Sequence, residues 1–146
     1  MDFTRLQKAT IKSNNIGYGP LPEDNKETEQ RLTISRGGGV WFNTYSYSGT
    51  RLRRKHFWLG EVQASRLLDL LGAYFGACGE ITLATDIGMW EMKLWDTDGA
   101  TSKFVGSLCC HFQIEGSDLS TKIRETLNMA DLLLFDGGLD EEGYVK

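Results

Sequence analysis

The chain has 146 residues, 40% of them hydrophobic and 25% charged, a size and composition that fit one folded domain and exclude a disordered chain. No apolar run approaches the roughly 20 residues of a membrane-spanning helix. The start, Met1-Asp2-Phe3-Thr4-Arg5, lacks the layout of a secretory signal, and three cysteines make no disulfide framework, so a cytoplasmic protein is expected.

The net charge of −4 is unevenly spread. Residues 1–73 carry 11 Lys/Arg and 7 Asp/Glu, whereas residues 74–146 carry 5 and 13. A chain this acidic is not a bulk nucleic-acid binder, although a local basic patch remains open to it.

In chain order, residues 1–30 read as an N-terminal segment and loop. The first dozen residues predict a short helix or an edge strand, and both prolines, Pro20 and Pro22, fall in the polar stretch from Ser13 to Gln30. Residues 31–138 read as a single α+β domain. Leu32–Ser35 and Val40–Tyr47 are β-branched and aromatic runs joined by Arg36-Gly37-Gly38-Gly39, the pattern of a hairpin. A third strand is predicted over Leu52–Leu59. Val62, Ala64, Leu67, Leu68, Leu71 and Phe75 then recur at helical spacing.

The second half repeats the order of strands before helix. Strands are predicted at Glu80–Ala84 and Trp90–Trp95, followed by the turn Asp96-Thr97-Asp98-Gly99 and a strand pair within Ser102–Ile114. Gly116-Ser117-Asp118 supplies an N-cap for a short helix whose face carries Leu119, Ile123 and Leu127. Leu132–Phe135 reads as a last buried strand or packed extension, and residues 139–146 as an acidic tail. The expected architecture is an antiparallel sheet with two helices packed on one face.

Candidate chemistry is thin. The glycine run 37–39 leads into a strand rather than a helix N-terminus, which favours a hairpin turn over a phosphate cradle. Cys109, Cys110 and His111 would place two metal-ligating side chains on one strand face, with His56 or Cys78 as further ligands. Paired C-x-x-C or H-x-x-x-H spacing is missing, so buried thiols are the reading and neither metal nor cofactor is expected. Asp86, Glu91, Asp96 and Asp98 form an acidic group in which Asp96 and Asp98 read as turn formers.

The aromatic and basic ribbon from Val40 to Trp58 is the candidate contact surface. Strand alternation places Trp41, Asn43, Tyr45 and Tyr47 on one face, and it separates Arg54, His56 and Trp58 from Arg53, Lys55 and Phe57. One row is expected in the core. The partner-binding set is Trp41, Tyr45, Tyr47, Arg53 and Arg54.

Three stretches carry a resemblance to a known group. They are Leu32-Thr33-Ile34-Ser35-Arg36-Gly37-Gly38-Gly39-Val40-Trp41-Phe42, then Ala84-Thr85-Asp86-Ile87-Gly88-Met89-Trp90-Glu91, and the segment from Gly106-Ser107-Leu108-Cys109 through Asp118-Leu119-Ser120 to Leu134-Phe135-Asp136-Gly137. Over residues 31–138 the chain resembles small uncharacterised proteins of Gram-positive gut-type bacteria and their mobile elements. The resemblance implies a bacterial cytoplasmic setting and brings no activity or site residue with it.

Small size, a two-signed charge distribution and an aromatic sheet face point to a non-enzymatic module that binds a protein partner. In its most concrete form it inhibits a nucleic-acid-handling defence complex, as anti-CRISPR proteins do, either through the ribbon or through an acidic half that imitates nucleic acid. One alternative is single-stranded nucleic-acid binding through the ribbon. The other is a small hydrolase or nuclease using Asp86, Glu91 and His111.

Overall fold

A computed structural model describes residues 1–16, 20–77, 81, 83 and 87–138. Six strands make one antiparallel sheet: β1 (Leu6–Asn14), β2 (Glu29–Ser35), β3 (Gly39–Tyr45), β4 (Arg51–Trp58), β5 (Met89–Asp96) and β6 (Thr101–Ser107), in the spatial order β4-β3-β2-β1-β5-β6. Helix α1 (Glu61–Gly76) follows β4. A two-stranded ribbon, β7 (Gln113–Ile114) with β8 (Ser117–Asp118), leads into α2 (Leu119–Leu127). The expected α+β fold, an antiparallel sheet with two helices, is the one observed.

The sheet's inner face follows from register. Ala9, Ile34, Val40 and Leu94 share one cross-strand row, and Ile11, Leu32, Phe42, Met92 and Phe104 share the next. These residues merge with Leu67, Leu68, Leu71 and Phe75 of α1 and Leu119, Ile123 and Leu127 of α2 into a single core. Helix α1 packs close, and a side chain at Gly72 would collide with the carbonyl of Phe3. The stop of α2 is Asn128 in the left-handed region, with φ 54°, and its start is Asp118, whose carboxylate accepts from the Thr121 N–H at 3.1 Å.

Two elements differ from expectation. Residues 6–14 are neither helix nor edge strand but a central strand, paired with β2 on one side and β5 on the other. Its alternation of buried Leu6, Ala9, Ile11 and Ser13 with outward Lys8, Thr10 and Lys12 gains its meaning only from those distant neighbours. Residues 132–135, in turn, are buried without strand pairing. The predicted strand at Glu80–Ala84 lies outside the described residues, except for Ile81 and Leu83.

The 131–136 segment needs no strand partner because side chains satisfy its backbone. The Gln30 amide donates to the Asp131 carbonyl at 2.9 Å and accepts from the Leu133 N–H at 2.7 Å. Ser13 Oγ donates to the Leu134 carbonyl at 2.8 Å, and Arg124 Nε donates to that of Leu132 at 2.9 Å. Arg124 also ion-pairs with Asp136; these two residues are only 4% and 1% exposed.

At the opposite end, Asp96 ties the chain's first residues to the β5–β6 turn. It accepts from the N–H groups of Asp2 and Asp98 at 2.9 Å and from Ala100 at 3.0 Å. The amide of Asp2, with those of Ala100 and Asp98, holds the carboxyl below the ordinary aspartate range against the opposing pull of burial. A carboxyl lowered on folding contributes stability that is full above its unfolded value and lost as pH falls through its folded value. Asp96→Asn is therefore expected to flatten the acid limb of a stability–pH curve, read by denaturant midpoint at each pH. An unchanged limb would show that Asp96 is not part of it.

Candidate functional site

Among the described residues, no helix lies on the outer face of the sheet. Both helices sit on the inner side, and among the described residues nothing crosses the outer one. Register gives this face three central cross-strand rows and, at one end, a fourth of Met89, Asn14, Glu29 and Tyr45.

The middle row runs Lys103, Lys93, Thr10, Thr33, Trp41, His56 from β6 to β4. Thr10 and Thr33 are hydrogen-bonded to each other through their hydroxyls at 3.0 Å, which leaves a low floor at the centre. On one flank lies the row Glu91, Lys12, Arg31, Asn43, Arg54. On the other lie Trp95, Lys8 and Ser35, continued past the β2–β3 turn by Gly39 and Trp58.

These strand positions hold six cations (Lys8, Lys12, Arg31, Arg54, Lys93, Lys103) against two carboxylates, Glu29 and Glu91; Arg51, across a bulge from Tyr45, adds another cation at the rim. A chain of net charge −4 thus presents a basic face. A depression of about 530 Å³ over β1, β2, β5 and β6 is lined by Lys12, Arg31, Lys93 and Lys103 together with Glu91 and Trp95.

The aromatic rings sit among these charges. Lys8 Nζ lies 4.1 Å and Lys93 Nζ 4.9 Å from the Trp95 ring centre, and the Arg31 guanidinium lies 4.4 Å from that of Tyr45. Trp41 and His56 stack with centroids 4.8 Å apart and planes within 9°. Trp41 stays 38% exposed. Gly39 makes room for its ring, since a Cβ there would come within 2.5 Å of the indole edge.

Some of the positive charge is already answered. Arg31 pairs with Glu29 at 2.7 Å, Lys12 approaches the same carboxylate at 3.7 Å, and Lys103 pairs with Glu91. The Lys103 hydrogen bond holds the Glu91 carboxyl below its ordinary range despite some burial.

Of the five residues expected to bind a partner, Trp41, Tyr45 and Arg54 are on this face. Tyr47 is exposed just past β3, in the turn closed by Ser46 N–H to the Thr50 carbonyl at 2.9 Å. Arg53 is separated from them, because alternation sends it to the inner side. There it bonds Glu27 at 2.6 Å and Asp131 at 2.8 Å and fastens the 131–136 segment to β4. Hydrogen bonding to Glu27 raises the guanidinium's pKa further against burial, and although burial opposes the Glu27 charge, bonds from Arg53 and Thr44 hold that carboxyl low. Lys8, Lys12, Arg31, Lys93, Lys103 and Trp95 were missed by the sequence reading. Their alternation is visible in the sequence, but which strands are neighbours is not.

The expected acidic site is not assembled by the described residues. Asp86 lies outside them, Glu91 is on the outer face, and His111 belongs to the helical layer, 3.9 Å from Asp118. Cys109 and Cys110 lie in a turn before β7 rather than on a strand, with Cys110 buried; burial raises the Cys109 thiol pKa, which works against nucleophilic use. Cys78 is outside the described residues. Among the described residues, no group of three His, Cys, Asp or Glu side chains is arranged to hold a metal ion, and no helix is long and apolar enough to cross a membrane.

No family model, curated protein or solved structure matches this chain.

Proposed function

We propose that this protein is a non-catalytic binding module whose working surface is the outer sheet face, and that its partner presents negative charge there. The observation that carries this reading is the six-to-two excess of basic over acidic strand positions on a face that no described element covers, in an acidic chain. Imitation of nucleic acid by the second half finds less support. Asp96 and Asp118 cap backbone, while Asp131 and Asp136 pair with arginines, so these carboxylates serve the fold. An inhibitor of a bacterial nucleic-acid-handling complex is one setting for such a face, where it would engage the complex's anionic ligand or an acidic rim.

Immobilised heparin, a generic polyanion, tests the surface. At low salt and neutral pH the protein is expected to be retained despite its net charge. The triple change Lys12→Glu, Arg31→Glu, Lys93→Glu is expected to pass straight through, whereas Arg66→Glu on α1 elutes like the parent. Flow-through of the parent protein, or retention of the triple variant, overturns the proposal.

A further inference from the structure

We infer that the anionic partner is a single strand of nucleic acid lying across the strands along the threonine floor. This rests on the binding face proposed above and goes further, by assigning the ligand's chemical class and path.

Three features of the face bear on the choice. The first is the arrangement of charge. Lys93 and Lys103 are directly opposed at one end of the middle row, while Lys12 and Arg31 are opposed along one flank of the threonine pair. A chain with a regularly repeated negative group fits a line of cations better than a compact acid does.

The second is the aromatic platform at the other end of the row. Trp41 and His56 are already parallel, and a nucleobase has the flat π-face that extends such a stack. Three strand steps separate Lys93 from Trp41, about 14 Å at the usual inter-strand spacing. The whole row of six positions spans about 24 Å, room for about four nucleotides at the lower end of known single-strand site sizes.

The third is the low floor. Between cations and platform lie only Thr10 and Thr33, whose hydroxyls bond to each other, so the middle of the path is unobstructed and polar. A double helix would place phosphates on the cations but keep its bases stacked internally, away from Trp41. An acidic protein surface would use the cations, but its carboxylates do not stack, and it would fill the platform only with a separate aromatic or arginine side chain. Single strands use both.

Fluorescence anisotropy with labelled oligothymidylate and oligouridylate, and with a duplex of equal length, tests the inference. Both single strands are expected to bind more tightly than the duplex. Affinity should fall with salt, and each of Lys12, Arg31 and Lys93 removed should reduce the logarithmic salt slope by about 0.7. Trp41→Ala is expected to weaken single-strand binding about tenfold or more while leaving heparin retention in place. Trp41→Phe should recover most of that loss, and circular dichroism should be the same for all variants.

Retention on heparin without oligonucleotide binding overturns this inference and leaves the basic-face proposal standing. Equal affinity for duplex and single strand also overturns it, as does indifference to Trp41→Ala. Displacement from heparin by polyglutamate but not by oligonucleotide would assign the face to an acidic protein instead. Flow-through on heparin removes both readings together.

Discussion

Arg124→Ala is expected to lower stability by about 3–5 kcal/mol, the usual result of stripping one partner from a buried ion pair. A domain of this size has about 5–15 kcal/mol in total, so the variant should unfold at markedly lower denaturant. The loss is large because Arg124 does two things at once. Its Nη1 donates to Asp136 at 3.0 Å and its Nη2 pairs with the same carboxylate, while Nε donates to the Leu132 carbonyl at 2.9 Å. Alanine would strand a buried carboxylate and release the 131–136 segment from α2.

Arg124→Lys should retain little of the stability, since one ammonium cannot reproduce the guanidinium fork. The double change Arg124→Met, Asp136→Leu should recover part of the loss by removing both charges together. It should not recover all, because the Leu132 carbonyl and the Gly138 N–H would still lack partners. Urea midpoints for the three variants decide the matter; Arg124→Ala within about 1 kcal/mol of the parent would contradict the account.

Trp90→Ala is expected to cost a similar amount, about 3–5 kcal/mol. Trp90 is fully buried on β5 and meets Phe75, Phe112 and Phe135 at centroid distances of 6.1, 5.9 and 4.8 Å. Its indole N–H has no partner among the described residues, so the loss is one of packing rather than hydrogen bonding.

The opposing residue on β6 is Gly106, and a Cβ there would lie 2.5–2.6 Å from the indole ring. Gly106→Ala alone is accordingly expected to destabilise by overpacking, about 1–3 kcal/mol. In the Trp90→Ala background the same methyl enters vacated space. The two changes should therefore be strongly non-additive, with the double variant little worse than Trp90→Ala alone. A thermal or urea double-mutant cycle measures this directly, and simple additivity would show that the strands accommodate Gly106→Ala by moving apart.

Local signals carried much of the fold into the sequence. The β2–β3 turn was readable from Gly37-Gly38-Gly39, and Gly38 has φ 108°. Helix α1 followed from the spacing of its leucines, and α2 from Asp118 and the Leu119, Ile123, Leu127 stripe. Period two correctly separated Arg53 from Arg54.

What the sequence did not expose was non-local. Central placement of β1 depends on pairing Lys8 with both Ser35 and Trp95. Leu132–Phe135 has the apolar run of a strand, and only Gln30, Ser13 and Arg124, brought in from other elements, make an irregular path tolerable there. Arg124 itself looks like an ordinary cation beside an apolar helix face until Asp136 is placed against it. The basic face was hidden for the same reason: its lysines come from β1, β5 and β6, whereas the aromatic ribbon that drew attention lies on β3 and β4.

The central position of β1 also governs the order in which the molecule can be completed. β1 leaves the ribosome ahead of β2, yet its second neighbour, β5, begins only at Met89. β2, β3 and β4 can zip up as successive hairpins while one side of β1 stays unsatisfied, and the Gln30–Leu133 bond joins residues 103 positions apart. Such distant pairings slow folding. Over that interval the nascent chain carries an open strand edge, the kind of surface that recruits chaperones or sticks to another copy.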